Sequence, residues 1–438
     1  MDGYYAFMLV ATALVLMMTV PALALFYGGM SRSKSVLNMM MMSYVAAAIV
    51  GILYVAVGWS MGFSGEGTFF ADPFALFWLD TVTTDSYIGV MFQMTFAIIT
   101  VALISGAVAD RMKFSAWVLF VPLWALLAYF PMAHMVFSCT DDSLICGRIG
   151  AQDYAGGTAV HINAGVAALV LVLLLGKRIG WPKEQMRPHN LTLTMLGAGL
   201  LWFGWYGFNV GSIVFTGATD EENIAQFFSE TGRTFANTTL ATMAAILGWL
   251  LIERLMHGKA TSLGAASGIV AGLVAITPAA GAVDIEGAVA IGLIAGAVCA
   301  WAVSLKYKLG YDDSLDVVGV HLVGGIVGTV LIGVFSTADG AGGIDGLLYG
   351  GGVGALGDQT LGVLVAIVFS GVVTAIIALA IKYTLGLRLS EEDEAEGIDL
   401  VAHGESAYDL HTGMGGGGGG GKTGVLGTQP ASSEGAHA

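Results

Sequence analysis

Two histidines, His161 and His321, stand in segments of matching pattern within sequence that is otherwise almost free of charge. An aspartate precedes each of them by eight positions (Asp153 and Asp313), and a glycine follows each at the fourth position. A neutral imidazole has one donor and one acceptor nitrogen, so two imidazoles in contact share a hydrogen bond and offer further donors and acceptors to a small molecule. Such a pair suits a small, nearly neutral passenger or a transient proton.

The composition places these histidines in a membrane protein. Of 438 residues, 56% are hydrophobic and 11% are charged, less than half of the roughly 25% that is usual in soluble domains. Apolar runs of about 20 residues, enough to cross a hydrocarbon core about 30 Å thick, recur from Tyr4 to Leu387. We expect an all-α integral membrane domain over residues 1–389 with eleven transmembrane helices: 4–28, 36–63, 87–109, 114–136, 153–175, 190–214, 232–255, 261–279, 285–304, 317–335 and 361–386.

The two histidine segments are predicted to cross the membrane in opposite directions, because one lies in the fifth span and the other in the tenth. This favours two inverted five-helix repeats, about 4–175 and 190–335, followed by an extra helix at 361–386. At a rise of 1.5 Å per residue, each histidine lies about 12 Å beyond the aspartate that precedes it, so both are expected near the midplane and their rings can meet.

These polar residues also have simpler interpretations. A lone histidine in a span more often serves as a hydrogen bond between packed helices, but a matched, inverted pair at one depth favours a pathway or relay. For Asp153 and Asp313 we prefer a helix N-cap over a proton acceptor, because an aspartate that opens a helix accepts hydrogen bonds from its free N–H groups.

The distribution of basic residues predicts the orientation. Lysine and arginine favour cytoplasmic loops, and all 17 except Arg148 and Arg233 fall on one side of the predicted topology. We expect an outer N-terminus and a cytoplasmic C-terminus in the plasma membrane. The net charge of −15 partly reflects acidic outer loops and gives no indication of nucleic-acid binding. Residues 1–25 are read as a span rather than a signal peptide, since they lack a basic start and their apolar run is long.

The remaining motifs indicate less about the function. Cys139 and Cys146 share one outer loop, where a small disulfide is expected if the surroundings are oxidising, and no metal-ligand cluster is present. Residues 390–438 are interpreted as a cytoplasmic regulatory tail whose glycine tract, 415–421, is disordered. A phosphate-loop pattern over 416–423 is interpreted as flexible linker, because no strand precedes it and no helix follows it.

Several ordered segments resemble the ammonium transporter (Amt/Mep/Rh) family, in its prokaryotic Amt type, over about residues 4–408. They are PALALFYGGMSRSKSVLN (21–38), MFQMTFAIITVALISGAVADRMKFSAW (91–117), DYAGGTAVHINAG (153–165), WFGWYGFNVGS (202–212), GVHLVGGIVGT (319–329) and EGIDLVAHGESAY (396–408). The resemblance implies a homotrimer with one pore per subunit for ammonium or ammonia, and regulation by a PII-type signalling protein at the tail. Methylammonium is the expected substrate analogue, and the protein is expected to be surrounded by membrane lipid. The resemblance implies no cofactor.

The resemblance also assigns roles residue by residue. Ammonium would be recruited at an outer vestibule, pass a phenylalanine gate and lose a proton before reaching a pair of histidines. The matching positions are His161 and His321 for the pair, Phe96 and Phe208 for the gate, Phe92, Gln93, Phe137, Trp205 and Ser212 for the vestibule and recruitment site, and Asp153 below it. One departure stands out: the family usually has tryptophan where HMVF places Phe137, and phenylalanine is the weaker cation-π partner.

Three classes of function remain after these observations. The leading one is an ammonium transporter or channel. The second is an ammonium sensor that signals through its tail. The third, an unrelated transporter driven by Na⁺ or H⁺, predicts a carboxylate at mid-span, and none of the predicted spans has one. Enzyme activity has little support, since no nucleophile, metal or nucleotide site emerges from the sequence.

Overall fold

The computed structural model describes residues 2–184 and 186–408, and within these ranges all regular secondary structure is helical. Eleven apolar helices follow one another along the chain: α1 (Gly3–Met30), α2 (Val36–Phe63), α3 (Thr84–Val108), α4 (Phe114–Phe137), α5 (Gly157–Leu175), α6 (Leu191–Val210), α7 (Asp220–His257), α8 (Ser262–Ile276), α9 (Ile285–Leu309), α10 (Val318–Phe335) and α11 (Gly354–Thr384). All but α8, which has 15 residues, are long and apolar enough to cross a membrane. The multi-pass, all-α prediction is confirmed, and this set of helices fits the predicted count.

Three helices begin at other residues than the predicted spans do. Helix α5 starts at Gly157 rather than 153, because the preceding aspartate caps it from a turn outside the helix. Helix α7 starts at Asp220 rather than 232, because Thr219 and Glu222 form a reciprocal capping box there. Its first turns are polar, so hydropathy alone does not include them. Helix α11 also begins earlier than predicted.

The loops fall on two faces, which we name by their content. The basic face carries Arg32, Arg111, Arg178 and Arg388, whose ion pairs and hydrogen bonds connect the loops on that side. The opposite face, with the loops that precede α3, α5 and α7, surrounds a cavity of about 860 Å³ and is called the cavity face.

Helices α5 and α10 cross at very short range beside the two histidines. A Cβ added to Gly165 of α5 would lie 2.5 Å from the backbone nitrogen of Leu322 in α10. Reciprocally, a Cβ on Gly325 of α10 would lie 3.0 Å from the Gly157 carbonyl oxygen and 3.2 Å from the Ile162 nitrogen in α5. The glycine four positions after each histidine therefore admits the backbone of the opposite helix, as small residues do in membrane helix pairs.

Both helices begin with the same irregularity. The first turns of α5 and α10, Gly157–Ile162 and Val318–Leu322, are wound as π-helix before regular α-helix continues. Insertions of this kind are rare and occur often at functional sites. Each histidine lies inside its π-turn, near the N-terminal end of its own helix.

Small residues also bring α7 and α9 together on the other side of the bundle. A Cβ on Gly292 or Gly296 of α9 would meet the carbonyl oxygen of Ala241 or Ala245 of α7 at 2.1 Å. Lipid tails are as apolar as the side chains, so the hydrophobic effect does not drive helices together within a bilayer. Close backbone contact of this kind is then a main source of helix association.

A buried charge network joins the loops on the basic face. Arg111 is fully buried and donates to Ser314 Oγ at 2.7 Å and to the Gly176 carbonyl oxygen at 2.9 Å. Arg178 forms an ion pair with Asp312, with a shortest N–O distance of 2.6 Å. Burial lowers the pKa of Arg111 to about 10, while the hydrogen bond and charge of Asp312 hold the pKa of Arg178 above its ordinary value against the effect of burial. The network fixes the segment before α10, and hence the start of the helix that carries His321.

Two short helices of the tail, α12 (Glu391–Glu396) and α13 (Ile398–His403), lie against the basic face. The carboxylate of Asp399 accepts the backbone N–H groups of Leu37 and Asn38, which open α2. Glu394 accepts the backbone N–H of Ile179 at 2.8 Å. The glycine tract 415–421 and the pattern over 416–423 lie outside the described residues.

Candidate functional site

The two histidine rings are in direct contact within the bundle. His161 Nδ1 lies 3.2 Å from His321 Nδ1, and His161 and His321 are 1% and 3% exposed, respectively. In neutral rings only one of the two Nδ1 atoms carries the shared hydrogen, so the rings must be opposite tautomers. One Nε2 is then an acceptor and the other a donor. His161 Nε2 is buried and has no hydrogen-bond partner among the described residues, which leaves it free for a small molecule.

Asp153 caps the helix that carries His161. Its two carboxylate oxygens accept the four backbone N–H groups of residues 156–159 at 2.7–3.1 Å. Gly156 permits the turn that brings these groups round, since its φ of +116° suits glycine. Burial raises the pKa of Asp153, and the hydrogen bonds from the four N–H groups oppose this effect.

Asp313 occupies the corresponding position before α10. It accepts the N–H groups of Val317 and Val318, four and five residues ahead, the same offsets at which Asp153 accepts those of Gly157 and Thr158. Burial raises the pKa of Asp313 to about 6. Both aspartates thus have the geometry of a helix cap, and each sets the start of a histidine-bearing helix.

Three phenylalanines form a layer on the cavity side of His161. The rings of Phe96 and Phe208 are stacked, with centroids 4.0 Å apart and planes inclined by 11°. Phe92 lies 5.0 Å from Phe96, and the Phe208 centroid lies 6.3 Å from that of His161. The stacked pair is fully buried and separates the cavity from the histidines.

Trp205 lies deeper than the vestibule to which the resemblance assigned it. Its indole is stacked on the His161 ring, with centroids 5.5 Å apart and planes at 18°, and the residue is 2% exposed. The indole N–H donates to Thr277 Oγ1 at 2.7 Å. The structure therefore places Trp205 beside the histidines and not on the cavity wall. Phe92 is likewise buried and not part of that wall.

The cavity face contains a funnel of about 860 Å³ that ends at Phe96. Gln93, Phe137, Ser212 and Asp153, all singled out from the sequence, line it. The Ser212 hydroxyl donates to the Phe208 carbonyl oxygen at 2.8 Å, so its oxygen is oriented to accept. The Phe137 ring meets Phe96 edge-on at a centroid distance of 6.4 Å, which places it between the funnel and the stacked pair Phe96 and Phe208.

Polar residues of α7 complete this funnel, and the sequence analysis missed them. Gln226, Glu230 and Arg233 lie on the wall, together with Tyr154. Gln226 and Glu230 belong to the helical turns before residue 232, which hydropathy assigned to a loop, and Arg233 lies just inside the predicted span. The pattern TDEE over 219–222 is a capping-box signature and would have indicated the earlier helix start.

The loop after α4 is closed by a disulfide between Cys139 and Cys146. Cys139 lies on the funnel wall, so the crosslinked loop is part of the entrance. Cys299 is a buried free thiol in α9. The crosslink begins two residues after Phe137, the last residue of α4, and therefore limits the movement of the loop that follows this ring.

Comparison with known proteins agrees with this architecture. Residues 6–408 match the model of the Ammonium Transporter Family. The ammonium transporter of Mycobacterium tuberculosis (strain H37Rv) is 52% identical over 449 aligned residues, which cover 94% of this chain and 91% of that protein. The crystal structure of Saccharomyces cerevisiae Mep2 is 31% identical, covers 94% of this chain and 92% of that chain, and has a TM-score of 0.78. A solved structure titled Sensor Amt Protein is 27% identical, with a TM-score of 0.82 and coverage of 91% and 98%.

The match to the family model spans nearly the whole described chain, and the identity to the mycobacterial relative extends over the same helices. The twin histidines, the stacked phenylalanines and the funnel all lie inside the matched region. This chain is a member of the ammonium transporter family.

Proposed function

We propose that the chain carries ammonium from the cavity face to the basic face, through a pore that runs from the funnel past Phe96 and Phe208 to His161 and His321. Ammonium transport across a membrane follows from the family to which the chain belongs. The observation that carries the proposed route is the contact between the two Nδ1 atoms at 3.2 Å, directly behind the stacked gate.

Recruitment takes place in the funnel in this proposal. Aromatic faces attract cations by about 0.5–2 kcal/mol each, and hydroxyl and carboxylate oxygens accept N–H groups. Phe137, Ser212 and Gln93 supply such contacts around the inner end of the funnel. These groups hold ammonium at the mouth, but they do not compensate for moving a full charge across the bilayer centre.

Deprotonation then supplies the selectivity. Ammonium loses a proton before the neutral molecule meets the imidazoles, and the proton passes either to cavity water or along the imidazole pair. Beyond the gate, His161 Nε2 offers a nitrogen without a protein partner, and Trp205 presents a flat apolar face beside it. Potassium has a similar size and charge but no proton to lose, so it remains a cation and is excluded by the dry passage.

Solid-supported membrane currents from proteoliposomes test the route. An ammonium pulse is expected to give a saturable current in the wild type, and His161→Asp is expected to alter it, because a carboxylate in place of an imidazole changes both charge and hydrogen bonding at the contact. Wild-type vesicles that stay silent to ammonium while responding to another solute would refute the proposal.

The orientation and assembly belong to the same proposal. We place the cavity face and the N-terminus outside, the basic face inside and the protein in the plasma membrane, since basic loops favour the cytoplasm. We also propose a homotrimer with one pore in each subunit. Native mass spectrometry of the detergent-solubilised chain tests the trimer, and protease access in oriented vesicles tests the sidedness.

The tail is the proposed site of regulation by a PII-type protein. Helices α12 and α13 lie on the basic face and contact the first turn of α2 and the loop after α5. A partner that displaces them would change contacts at two of the cytoplasmic loops. Co-purification with a PII-type protein, compared between the full chain and a variant truncated at residue 390, tests this docking.

A sensor that signals through this tail is the second candidate. It is favoured by the structural likeness to the protein titled Sensor Amt Protein, whereas the relative with 52% identity is named a transporter. Binding of ammonium without any current in the proteoliposome assay would favour the sensor over the transporter.

A further inference from the structure

A carboxylate without a cationic partner lies in the wall of the funnel. Glu230, in the third turn of α7, is half-buried and lines the cavity. Its Oε1 accepts the Tyr154 hydroxyl at 2.9 Å, and its Oε2 accepts Gln226 Nε2 at 2.9 Å. Each carboxylate oxygen has a second acceptor position, so Glu230 is held in place by two neutral donors and keeps acceptor capacity for a ligand.

The nearest cationic side chain in sequence is engaged elsewhere. Arg233, one turn further along α7, donates to the backbone carbonyl of Asp339, which also lines the funnel. Among the ion pairs of the described residues, none involves Glu230. The funnel is therefore lined by the carboxylates of Asp153, Glu230 and Asp339 against a single guanidinium group.

Of these carboxylates, Glu230 is the one suited to receive a cation. Asp153 already accepts four N–H groups in capping α5. Tyr154 is a permanent donor to Glu230, because burial and the neighbouring carboxylate raise the pKa of its hydroxyl well above the ordinary value. The glutamate is thus a fixed acceptor on the wall of the cavity.

The aromatic residues at the inner end of the funnel attract cations weakly, and a fixed negative charge adds to this attraction. Phe137 stands where a tryptophan would give the stronger cation-π attraction, and the Phe96 face is occupied by Phe208. A fixed carboxylate raises the occupancy of a monovalent cation 4 Å away by about fivefold even in bulk water, and by more beside a low-dielectric wall. This attraction is comparable to the cation-π contact that is weakened here.

We propose that Glu230, positioned by Tyr154 and Gln226, is the residue that concentrates ammonium and its methylated analogue in the funnel of this chain. The inference rests on the proposed transport function and adds to it a determinant of affinity that is separate from the gate and the histidines. It predicts an effect on the half-saturating concentration and none on the maximal rate, because Glu230 does not contact the passage beyond Phe96.

The test compares charge-neutralising variants of equal shape in the proteoliposome current assay. Glu230→Gln keeps an acceptor for Tyr154 and removes the charge, and it is expected to raise the KM for ammonium roughly five- to tenfold at about 10 mM salt with an unchanged maximal current. Glu286→Gln, which removes an exposed acid on the same face outside the funnel, is the matched control and should leave KM unchanged. Arg233→Gln should lower KM, since it removes the opposing charge.

Salt gives a second readout. The Debye length falls from about 30 Å at 0.01 M to about 8 Å at 0.15 M, so the difference in KM between wild type and Glu230→Gln should shrink as salt rises. An unchanged KM in Glu230→Gln, or shifts of the same sign in the Glu230 and Arg233 variants, overturns the inference. His161→Asp in the same series keeps the two proposals apart: an unaltered current there refutes the histidine route, whereas a normal KM in Glu230→Gln refutes only the role of the glutamate.

Discussion

Replacing Gly165 by alanine should separate the two histidines. An added Cβ would lie 2.5 Å from the Leu322 backbone nitrogen and 2.6 Å from the Leu322 Cβ. Ordinary contact between such atoms requires about 3.5 Å, so α5 and α10 must move apart by about 1 Å. The neighbouring Nδ1–Nδ1 distance of 3.2 Å then increases to about 4 Å, beyond the range of a hydrogen bond.

A graded series makes this reasoning testable. Gly325→Ala meets its nearest atoms at 3.0 Å rather than 2.5 Å and should show a smaller defect. Gly199→Ala in α6 is the matched control, because an added Cβ there has no neighbour within 4 Å. Overpacking of this kind costs about 1–3 kcal/mol, so thermal stability should decrease in the order Gly199, Gly325, Gly165.

Ammonium-dependent current is the decisive measurement, taken with the unfolding temperature of each variant in the same detergent or lipid. We expect the current of Gly165→Ala to be largely lost and that of Gly325→Ala to be reduced, with Gly199→Ala at the wild-type value. A Gly165→Ala protein that is folded and transports normally would show that the contact between the rings is not needed. An equal loss of current in all three variants would show that replacing any of these glycines is harmful, whatever the distance between the two histidine rings.

Three further outcomes are expected. Thr277→Val leaves the buried Trp205 N–H without its acceptor, which costs about 1–3 kcal/mol, and should lower both the unfolding temperature and the maximal current. Phe208→Ala removes the ring stacked on Phe96 and should allow potassium to compete with ammonium, measured as current inhibition by added potassium. The pKa of Asp313 is raised to about 6 in the folded chain, so its contribution to stability is full below about pH 4 and is lost as the pH rises through about 6. Asp313→Asn can still cap α10 but does not titrate. Unfolding temperatures measured across this pH range should therefore vary less in the variant than in the wild type.

The central part of the site could be predicted from sequence because it depends on spacing within helices. The interval between Asp153 and His161, repeated at Asp313 and His321, fixes the distance of each ring from its cap. Two matched copies in antiparallel spans then bring the rings to one depth. The structure departs from the estimate in one respect: each helix begins about four residues after its aspartate, so each ring lies only about one turn inside the helix proper.

The wall of the funnel could not be predicted from hydropathy, because amphipathic turns do not raise the mean hydropathy of a window. Glu230 and Gln226 face the cavity from polar turns of α7 that project beyond the apolar span. The exact place of Trp205 could not be predicted for a different reason. Its position along α6 gives its depth only coarsely, and its stacking on His161 depends on the hydrogen bond to Thr277 from a distant part of the chain.

Buried charge on the basic face was also hidden from the sequence. Counting lysines and arginines predicts a face but gives no information about which of them is exposed. Arg111 is fully buried and Arg178 nearly so, each satisfied by partners from the segment before α10. These partners are over 130 positions away in the chain, and only the tertiary fold brings them together.

The symmetry of the two repeats brings the rings together but does not decide which of them donates the shared hydrogen. The caps and the crossing glycines treat His161 and His321 alike, whereas their surroundings differ: within the described residues, ring contacts with Trp205 and Phe208 involve His161, and His321 has His161 as its ring neighbour. In the proposed route a passenger arriving from the funnel meets His161 Nε2 first, and an acceptor there requires that His161 Nδ1 donate to His321. Because the two rings share one hydrogen, Thr277→Val, which loosens Trp205 beside His161, should shift the tautomer balance of both rings together and in opposite directions. Nitrogen-15 chemical shifts of the two rings measure this directly, and shifts unchanged from the wild type would show that the aromatic surroundings do not set the direction of the hydrogen bond.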